Sequence, residues 1–585
     1  MSASPETYLP LDELIEMTPD LLSRVIVSPN FNVISVTSRE ACSEQAASGI
    51  DEVTSIVSSP SPEHSFPCRL PPEILAIIFL KYKQQYEYCT TWVPPWVNIS
   101  YVCQYWRNVA LNCANLWIRL FFVSSEWMDE LLRRSKTAPL TIHTDFYGRE
   151  SGLGQIRRSL EKALGHMERI QDLRVDCHRS TDVLDMIHAR LTAAAPLLRS
   201  LHLSTYEDGD DLIICKDMLP GAGLRKLHLE VCLVDWSSPI FNSSGLVELS
   251  LSYVMNDATV ECWDGLLLLL SQLPLLCQLC LDNIRSPGYI TFENSFINTQ
   301  NTSKVRLCQL EKLSLTDPIP WVTALLARLE FPRSTIVQVK SDCDDPEDIS
   351  MFIPFMAGRF SSHLSLPQST PSTLRSLRFH RSNLWDATWT VMWGTSNPEN
   401  TNGTNHISPE EQNLDSQFLL QIVFTQMDQE VSLGGIITLF RALPLTHLNV
   451  ITLHSDIEGP FDHRNPWMEV FWGAPELWII KVGYGCANML IYALQPRDGV
   501  IFASTLTDIR FKDIVFNRRK CRDEESHGYG TGCLRCLRNA LASRAKAGIV
   551  LQRLFLDNCP GILKRDITKL SKIVGRVEWD TTEGR

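Results

Sequence analysis

Leu198–Ser204 reads LRSLHLS, Leu224–Glu230 LRKLHLE, Leu246–Ser252 LVELSLS and Leu276–Asp282 LCQLCLD. One word, with apolar residues at its first, fourth and sixth places, is being repeated. It opens earlier as IQDLRVD at Ile170 and continues as LEKLSLT at Leu310 and LRSLRFH at Leu374. Later copies are LTHLNVI at Leu445, LWIIKVG at Leu477, LTDIRFK at Leu506 and LQRLFLD at Leu551, with a weaker IVQV over Ile336–Val339. The first steps are 22 to 34 residues, the interval of a strand-plus-helix repeat. In a strand the fourth and sixth places share one side. Several preceding segments carry helical apolar spacing, such as Val183, Met186, Ile187 and Leu191 before Leu198. A strand, a helix and a return to the next parallel strand make one right-handed coil, and its leucines are buried only when coils stack. The prediction is an α/β fold with a parallel sheet over residues 164–585. The same reading accounts for the greasy run Gly265–Leu281 without a membrane: a helix closes one coil and a strand begins the next. Gln272, Pro274 and Gln278 interrupt it short of the ~20 apolar residues a span needs.

Working outward, Cys68–Phe122 is different. It starts CRLPPEILAIIFLKY, passes through QQYEYCTTWVPP (Gln84–Pro95), and ends WVNISYVCQYWRNVALNCANLWIRLFF. Pro72 suits the first turn of a helix, where its missing N–H goes unused, and Glu73 complements the helix dipole. Every side chain from Ile74 to Leu80 is apolar. Ile99, Val102, Cys103, Trp106, Val109 and Ala110 recur at helical spacing and predict a second apolar helix, after which Leu116 and Trp117 end the segment. A unit of about fifty residues buries only around 60% of its unfolded surface. It has more Ile, Leu, Phe and Trp than it can hide, which predicts a protein partner.

LPPEIL followed by IF, then VCQYWRNVAL and a Leu-Trp pair, resembles an F-box of the kind common in fungal proteins. The insert Gln84–Pro95 is longer than in compact F-boxes. The resemblance implies docking on the S-phase-kinase-associated adaptor, and through it on a cullin-RING ubiquitin ligase. The residues it assigns to that contact are Leu70, Pro71, Pro72, Ile74, Leu75, Ile78, Phe79, Val102 and Trp106. The repeated word is similar to leucine-rich repeats of the irregular kind that follows F-boxes. Where regular repeats carry Asn or Cys, three places after the last Leu, Tyr206, Val254 and Ile284 stand instead and only Cys232 fits, so the side-chain ladder is expected to be mostly absent. The implied organisation is an N-terminal arm (1–67), a small all-α F-box (68–123), a connecting helical segment (124–163) and an irregular leucine-rich-repeat solenoid (164–585) with its parallel sheet on the concave face.

Stacked strands line up their outward side chains. The candidate substrate-binding residues on that face are His202, Lys226, His228, Glu248, Lys312, Arg378, His447 and Arg510, with Ser200, Ser250, Ser314, Ser376, Asn449 and Asp508 among them. The mixture is polar, of both signs and rich in His, so a protein ligand of unstated identity is expected rather than nucleic acid. A net charge of −13 likewise disfavours nucleic acid and anionic membrane. The reading is a non-catalytic substrate adaptor of a ubiquitin ligase; the alternative is a repeat scaffold uncoupled from any ligase, its first helices serving as a cap.

The eighteen cysteines are scattered, which suggests reduced thiols in cytosol or nucleus. The front of the chain, MSASPETYLPLDE, lacks the basic start and apolar run of a signal peptide. Cys521, His527, Cys533 and Cys536 form a possible zinc set, although their spacing matches no common finger. Gly528, Gly530 and Gly532 make the same stretch read as a loop. There is no G-x-S-x-G, H-E-x-x-H or phosphate loop, so no catalytic residue and no cofactor is expected. Residues 35–67, rich in Ser, Glu and Ala, read as a linker, and Gly394–Gln417 reads as a polar insertion.

Overall fold

The structure, a computed structural model, describes residues 70–580 apart from 86–93, 123, 146–152, 177–180, 206–211, 215–216, 220–222, 242–243, 255–260, 285–303, 343–349, 356–373, 383–387, 395–419, 426–436, 444, 456–469, 484–486, 497–499 and 518–530. The N-terminal arm and nearly all of the polar insertion therefore lie outside the described residues. The chain is mixed α/β and divides into two compact units. The first runs to Val175 and takes in Ala195–Leu198; the second holds the rest. The first copy of the word, at Ile170, belongs almost wholly to the first unit.

In the first unit, helix α1 (Pro72–Gln84) has Pro at its first position, Glu73 in its first turn and Lys81 and Lys83 in its last, as dipole and proline rules require. A 3₁₀ turn, Pro95–Tyr101, precedes α2 (Gln104–Asn112). The single stripe expected from Ile99 to Ala110 is therefore broken. The backbone is extended at Cys103, whose thiol caps α2 by accepting from the Trp106 N–H at 3.4 Å. Around α1 and α2 the interior is Leu75, Phe79, Trp96, Val97, Ile99, Val109, Ala110, Leu116 and Trp117. Trp96 meets Trp117 edge-on at 5.3 Å, and the Trp117 indole N–H donates to the Ala110 carbonyl at 2.9 Å. Helix α3 (Ser125–Ser135) begins at the Ser124 cap, and Leu140 starts a strand. Strand β1 (Arg119–Leu120) pairs in parallel with β2 (Leu140–Asp145), which pairs with β3 (Ile170–Asp176); helix α4 (Leu153–Leu164) lies between them in sequence.

The second unit is built on the word. Its strands are β4 (Ser200–Ser204), β5 (Lys226–Glu230), β6 (Glu248–Ser252), β7 (Gln278–Asp282), β8 (Lys312–Thr316) and β9 (Ile336–Asp342). They pair consecutively, parallel and without slippage: Leu201 lies opposite Leu227, Leu227 opposite Leu249, Leu249 opposite Leu279 and Leu279 opposite Leu313. The apolar places of these copies are at most 2% exposed, because the period of two sends all of them to one side. Between strands, α5 (Thr181–Leu191), α6 (Glu261–Ser271) and α7 (Ile319–Arg328) supply Ile187, Leu191, Leu266, Leu269, Leu270, Val322 and Leu325 to the same interior.

Beyond β9 the chain departs from the expected all-parallel order. Strands β10 (Ser376–Ser382), β11 (Thr388–Gly394) and β12 (Leu420–Thr425) form an antiparallel meander that enters the sheet backwards. β12 pairs in parallel with β9, and β10 in parallel with the next strand, β13 (Val450–Ser455). The order is therefore β9–β12–β11–β10–β13, with β11 the one strand running against the rest among the described ladders. Parallel pairing resumes through β14 (Ile479–Gly483), β15 (Asp508–Lys512), β16 (Arg553–Asp557) and β17 (Arg576–Trp579). The copy at Leu445 is read three residues too early by the sequence. Leu445–His447 is a 3₁₀ turn, and Leu448, Ile451 and Leu453 fill the three buried places. At Gly483 the neighbouring His454 ring crosses the backbone so closely that an added Cβ would lie 2.1 Å from its Nδ1.

The strands share a way of ending. Val231, Tyr253, Asn283, Asp513 and Asn558, each the first residue after a strand, have φ between 47° and 57°. This left-handed bend turns the next side chain inward, so that Cys232, Val254, Ile284, Ile514 and Cys559 are buried. Apolar packing occupies the place where regular repeats carry an amide ladder.

The loop expected around Gly528–Gly532 closes on structure. Thr531–Cys533 pairs in parallel with Val515–Asn517, and helix α8 follows at Leu534–Lys546. Cys533 is its cap, accepting from the Cys536 N–H at 3.3 Å; Cys521 and His527 lie outside the described residues. Arg544 of α8 is 1% exposed and donates to the carbonyls of Phe502 and Ala503 at 2.6 and 2.8 Å. Burial pulls its pKa down to about 10. No helix among the described residues is long and apolar enough to cross a membrane.

Candidate functional site

Two surfaces gather the residues singled out in the sequence, one in each unit. In the first unit, α1 separates its apolar side chains into two sets. Leu75 and Phe79 point inward, and Phe79 packs on the Trp106 ring at 5.1 Å. These two side chains hold the unit together and present nothing to a partner; Trp106 is half-buried beside them, its indole N–H enclosed with no hydrogen-bond acceptor among the described residues. The other set faces outward: Ile74 is 45%, Ile77 56% and Ile78 44% exposed. Spacings of three and four place these isoleucines on one stripe. Pro71 and Pro72 are exposed at the start of the helix. The Tyr105 hydroxyl donates to the Leu70 carbonyl at 2.6 Å and ties the start of α2 to the start of α1. Tyr101 and Val102, just before α2, are also exposed. Ile77 and Tyr101 were not among the residues assigned from the sequence, where a wholly apolar run gives no sign of which side is covered.

In the second unit, the outward places of the strands form continuous rows, because the register never slips from β4 to β9. The first row is Ser200, Lys226, Glu248, Gln278 and Lys312; the Lys226 ammonium meets the Glu248 carboxylate at 2.7 Å. The second is His202, His228, Ser250, Cys280, Ser314 and Gln338. Burial pushes the Cys280 thiol up, against hydrogen bonds from Ser250 and Ser314. The third row begins Ser204, Glu230, Ser252 and Asp282.

The second and third rows form a cluster at one end. His202 and His228 stack with ring centroids 4.0 Å apart and 6° between planes. Asp176 Oδ1 lies 2.8 Å from His202 Nε2, and the Ser204 hydroxyl donates to Glu230 Oε2 at 3.0 Å. Glu230 stands 3.8 Å from His228, and that ring, with the Ser204 hydroxyl, holds its carboxyl below the usual range against the opposing effect of burial.

In the remaining strands the middle row reads Arg378, Thr452, Lys481, Arg510 and Phe555. Arg510 lies over the Phe555 ring at 4.6 Å and pairs with Asp557 at 3.1 Å. Asp508, although at an outward place, is buried and held by Arg553. His447 and Asn449 are displaced from this face. They precede β13, and exposed His447 pairs with Glu476 at 3.2 Å. Thr452 and His454 take the outward places instead.

The sequence thus names His202 and His228 but misses Asp176 and Glu230. The signal was present: His occupies the same place in two consecutive copies, which register must bring side by side. Comparison of the chain with protein-family models finds no match, and comparison with curated proteins finds none either.

Proposed function

We propose that this chain is the substrate-recognition subunit of an SCF-type cullin-RING ubiquitin ligase. In this reading residues 68–123 are an F-box that docks on the S-phase-kinase-associated adaptor, and the repeated strands are an irregular leucine-rich-repeat solenoid that holds a protein substrate. The observation that carries it is the outward stripe Ile74, Ile77 and Ile78, on a unit whose other large apolar groups are mostly enclosed. Fully covering an isoleucine is worth about 1.5–3 kcal/mol relative to leaving it exposed. Three such side chains left half-open, with Val102 and Tyr101 beside them, are a standing driving force for association. The chain itself performs no bond chemistry. It holds the substrate near the transfer machinery and raises its effective concentration there. The rows of mixed charge on the sheet suit a folded or extended protein ligand.

The test is co-purification of the adaptor with the full chain and with an Ile77→Asp, Ile78→Asp variant. Phe79 is left intact because it is buried inside the unit and its replacement would destabilise the fold. Wild type should retain the adaptor and the variant should lose it, with unchanged circular dichroism. Failure of the wild-type chain to bind, or retention by the folded variant, overturns the reading.

A further inference from the structure

The cluster at the start of the sheet has the composition of a metal centre. His202, His228 and Glu230 each offer one donor atom, and these atoms all lie within 4.8 Å of one another. Two imidazoles and one carboxylate form a ligand set used by zinc sites that keep a coordination position open. Imidazole donors select transition metals over magnesium and calcium.

Around the three ligands stands a second set of groups that orients them. A carboxylate only accepts, so the contact of Asp176 with His202 Nε2 fixes the proton on Nε2 and puts that ring's lone pair on Nδ1. A carboxylate behind a ligating histidine is the usual arrangement at metal sites. Ser204 fixes the Glu230 carboxylate in the same manner. His202 and Asp176 are only 18% and 15% exposed, so this support is largely withdrawn from water. Strand pairing does the rest: His202 and His228 are register partners, and Glu230 follows His228 two places along the same side.

We propose that His202, His228 and Glu230 bind a divalent transition-metal cation of the zinc class, with Asp176 and Ser204 as positioning residues. Bonds of about 2.0 Å in a tetrahedral arrangement set ligand atoms about 3.3 Å apart. Binding then draws each donor inward by about 1 Å, through side-chain rotation that turns the stacked rings edge-on to the ion. The two negative carboxylates near the ion balance its charge. The site is independent of adaptor docking, and an ion there would give the sheet a Lewis-acidic point able to take a carboxylate, imidazole or thiolate from a bound protein.

The experiment uses the full chain, stripped with chelator and dialysed, then titrated with Co(II) and followed by its ligand-field absorption. One equivalent should bind with bands of low-symmetry nitrogen and oxygen coordination. His228→Ala and Glu230→Gln should each weaken binding at least tenfold, and Asp176→Asn by roughly 10- to 100-fold, as loss of a group behind a metal ligand does. His447→Ala should leave it unchanged. Thermal melts in chelator establish that each variant is folded. No Co(II) binding by the stripped wild type overturns the proposal. So does binding that shows thiolate charge-transfer and is lost with Cys536→Ser but not with His228→Ala.

Discussion

Helices α1 and α6 read almost alike in sequence, ILAIIFL in one and GLLLLLS in the other, yet they are used differently. In α6, Leu266, Leu269 and Leu270 are buried, with Leu273 just beyond the helix end, and of its described leucines only Leu268 is strongly exposed. A single exposed leucine is ordinary on a protein surface. In α1, burial stops at Leu75 and Phe79, and a second coherent stripe of three isoleucines is left outside. The sheet beside α6 offers an interior that continues on both sides. The small unit around α1 offers one wall. An apolar run therefore says that cover is needed, and only the neighbours decide whether the chain supplies it.

The comparison breaks most visibly at the covered side chains. Phe79→Ala should cost about 3–5 kcal/mol and Leu270→Ala about 2–5, whereas Ile77→Ala should stay within about 0.5 kcal/mol. Urea denaturation of the three variants reads this directly, and an Ile77 loss as large as that of Phe79 would show that α1 has no outward face. A smaller effect sharpens the contrast from the side of the sheet. Tyr253 has φ 51°, where a side chain costs roughly 1–2 kcal/mol that glycine avoids. Tyr253→Gly should raise the second unit's melting midpoint by the equivalent of about 1 kcal/mol and leave the first unit's unchanged.

The smallest effect belongs to acid. Hydrogen bonds from Arg133, and then Arg134, hold the Glu130 carboxyl down to about 2. A folded pKa below the ordinary 4.5 means stability that is complete above about pH 4.5 and lost as pH falls toward 2. The group is near the surface, so the loss should be only about 0.2–1 kcal/mol, confined to the first unit. Glu130→Gln should flatten that acid limb; an unchanged pH profile would remove Glu130 from the stability of the unit.

The strands β4 to β9 were legible because their apolar residues obey a period of two and the word recurs every 22 to 34 residues, and burial enforces the period. The meander was not. Thr388–Gly394, TWTVMWG, carries no leucine at the expected places, and nothing local tells a strand which way its neighbours run. The late copy at Leu445 misled because Leu445, Leu448 and Val450 imitate the spacing that Leu448, Ile451 and Leu453 fulfil. At α1 the residue types pointed to a partner, but separating Phe79 from Ile77 required knowing which wall each side chain meets. At the histidine cluster all four members sit in copies of the repeated word, but Glu230 and Asp176, each at the last place of its copy, became visible only once the folded strands set them beside the rings.

The backward entry of β10–β12 has a consequence for how the protein is made. A sheet of consecutive strands can be added to in the order in which the ribosome releases it. Here β9 must wait, its edge unsealed, until Leu420–Thr425 has emerged, because that segment and not the next one is its neighbour. An unpaired edge invites other chains to pair with it. The nascent protein is thus most vulnerable to misassociation in the interval between those two segments, and it is there that a chaperone would find the most to protect.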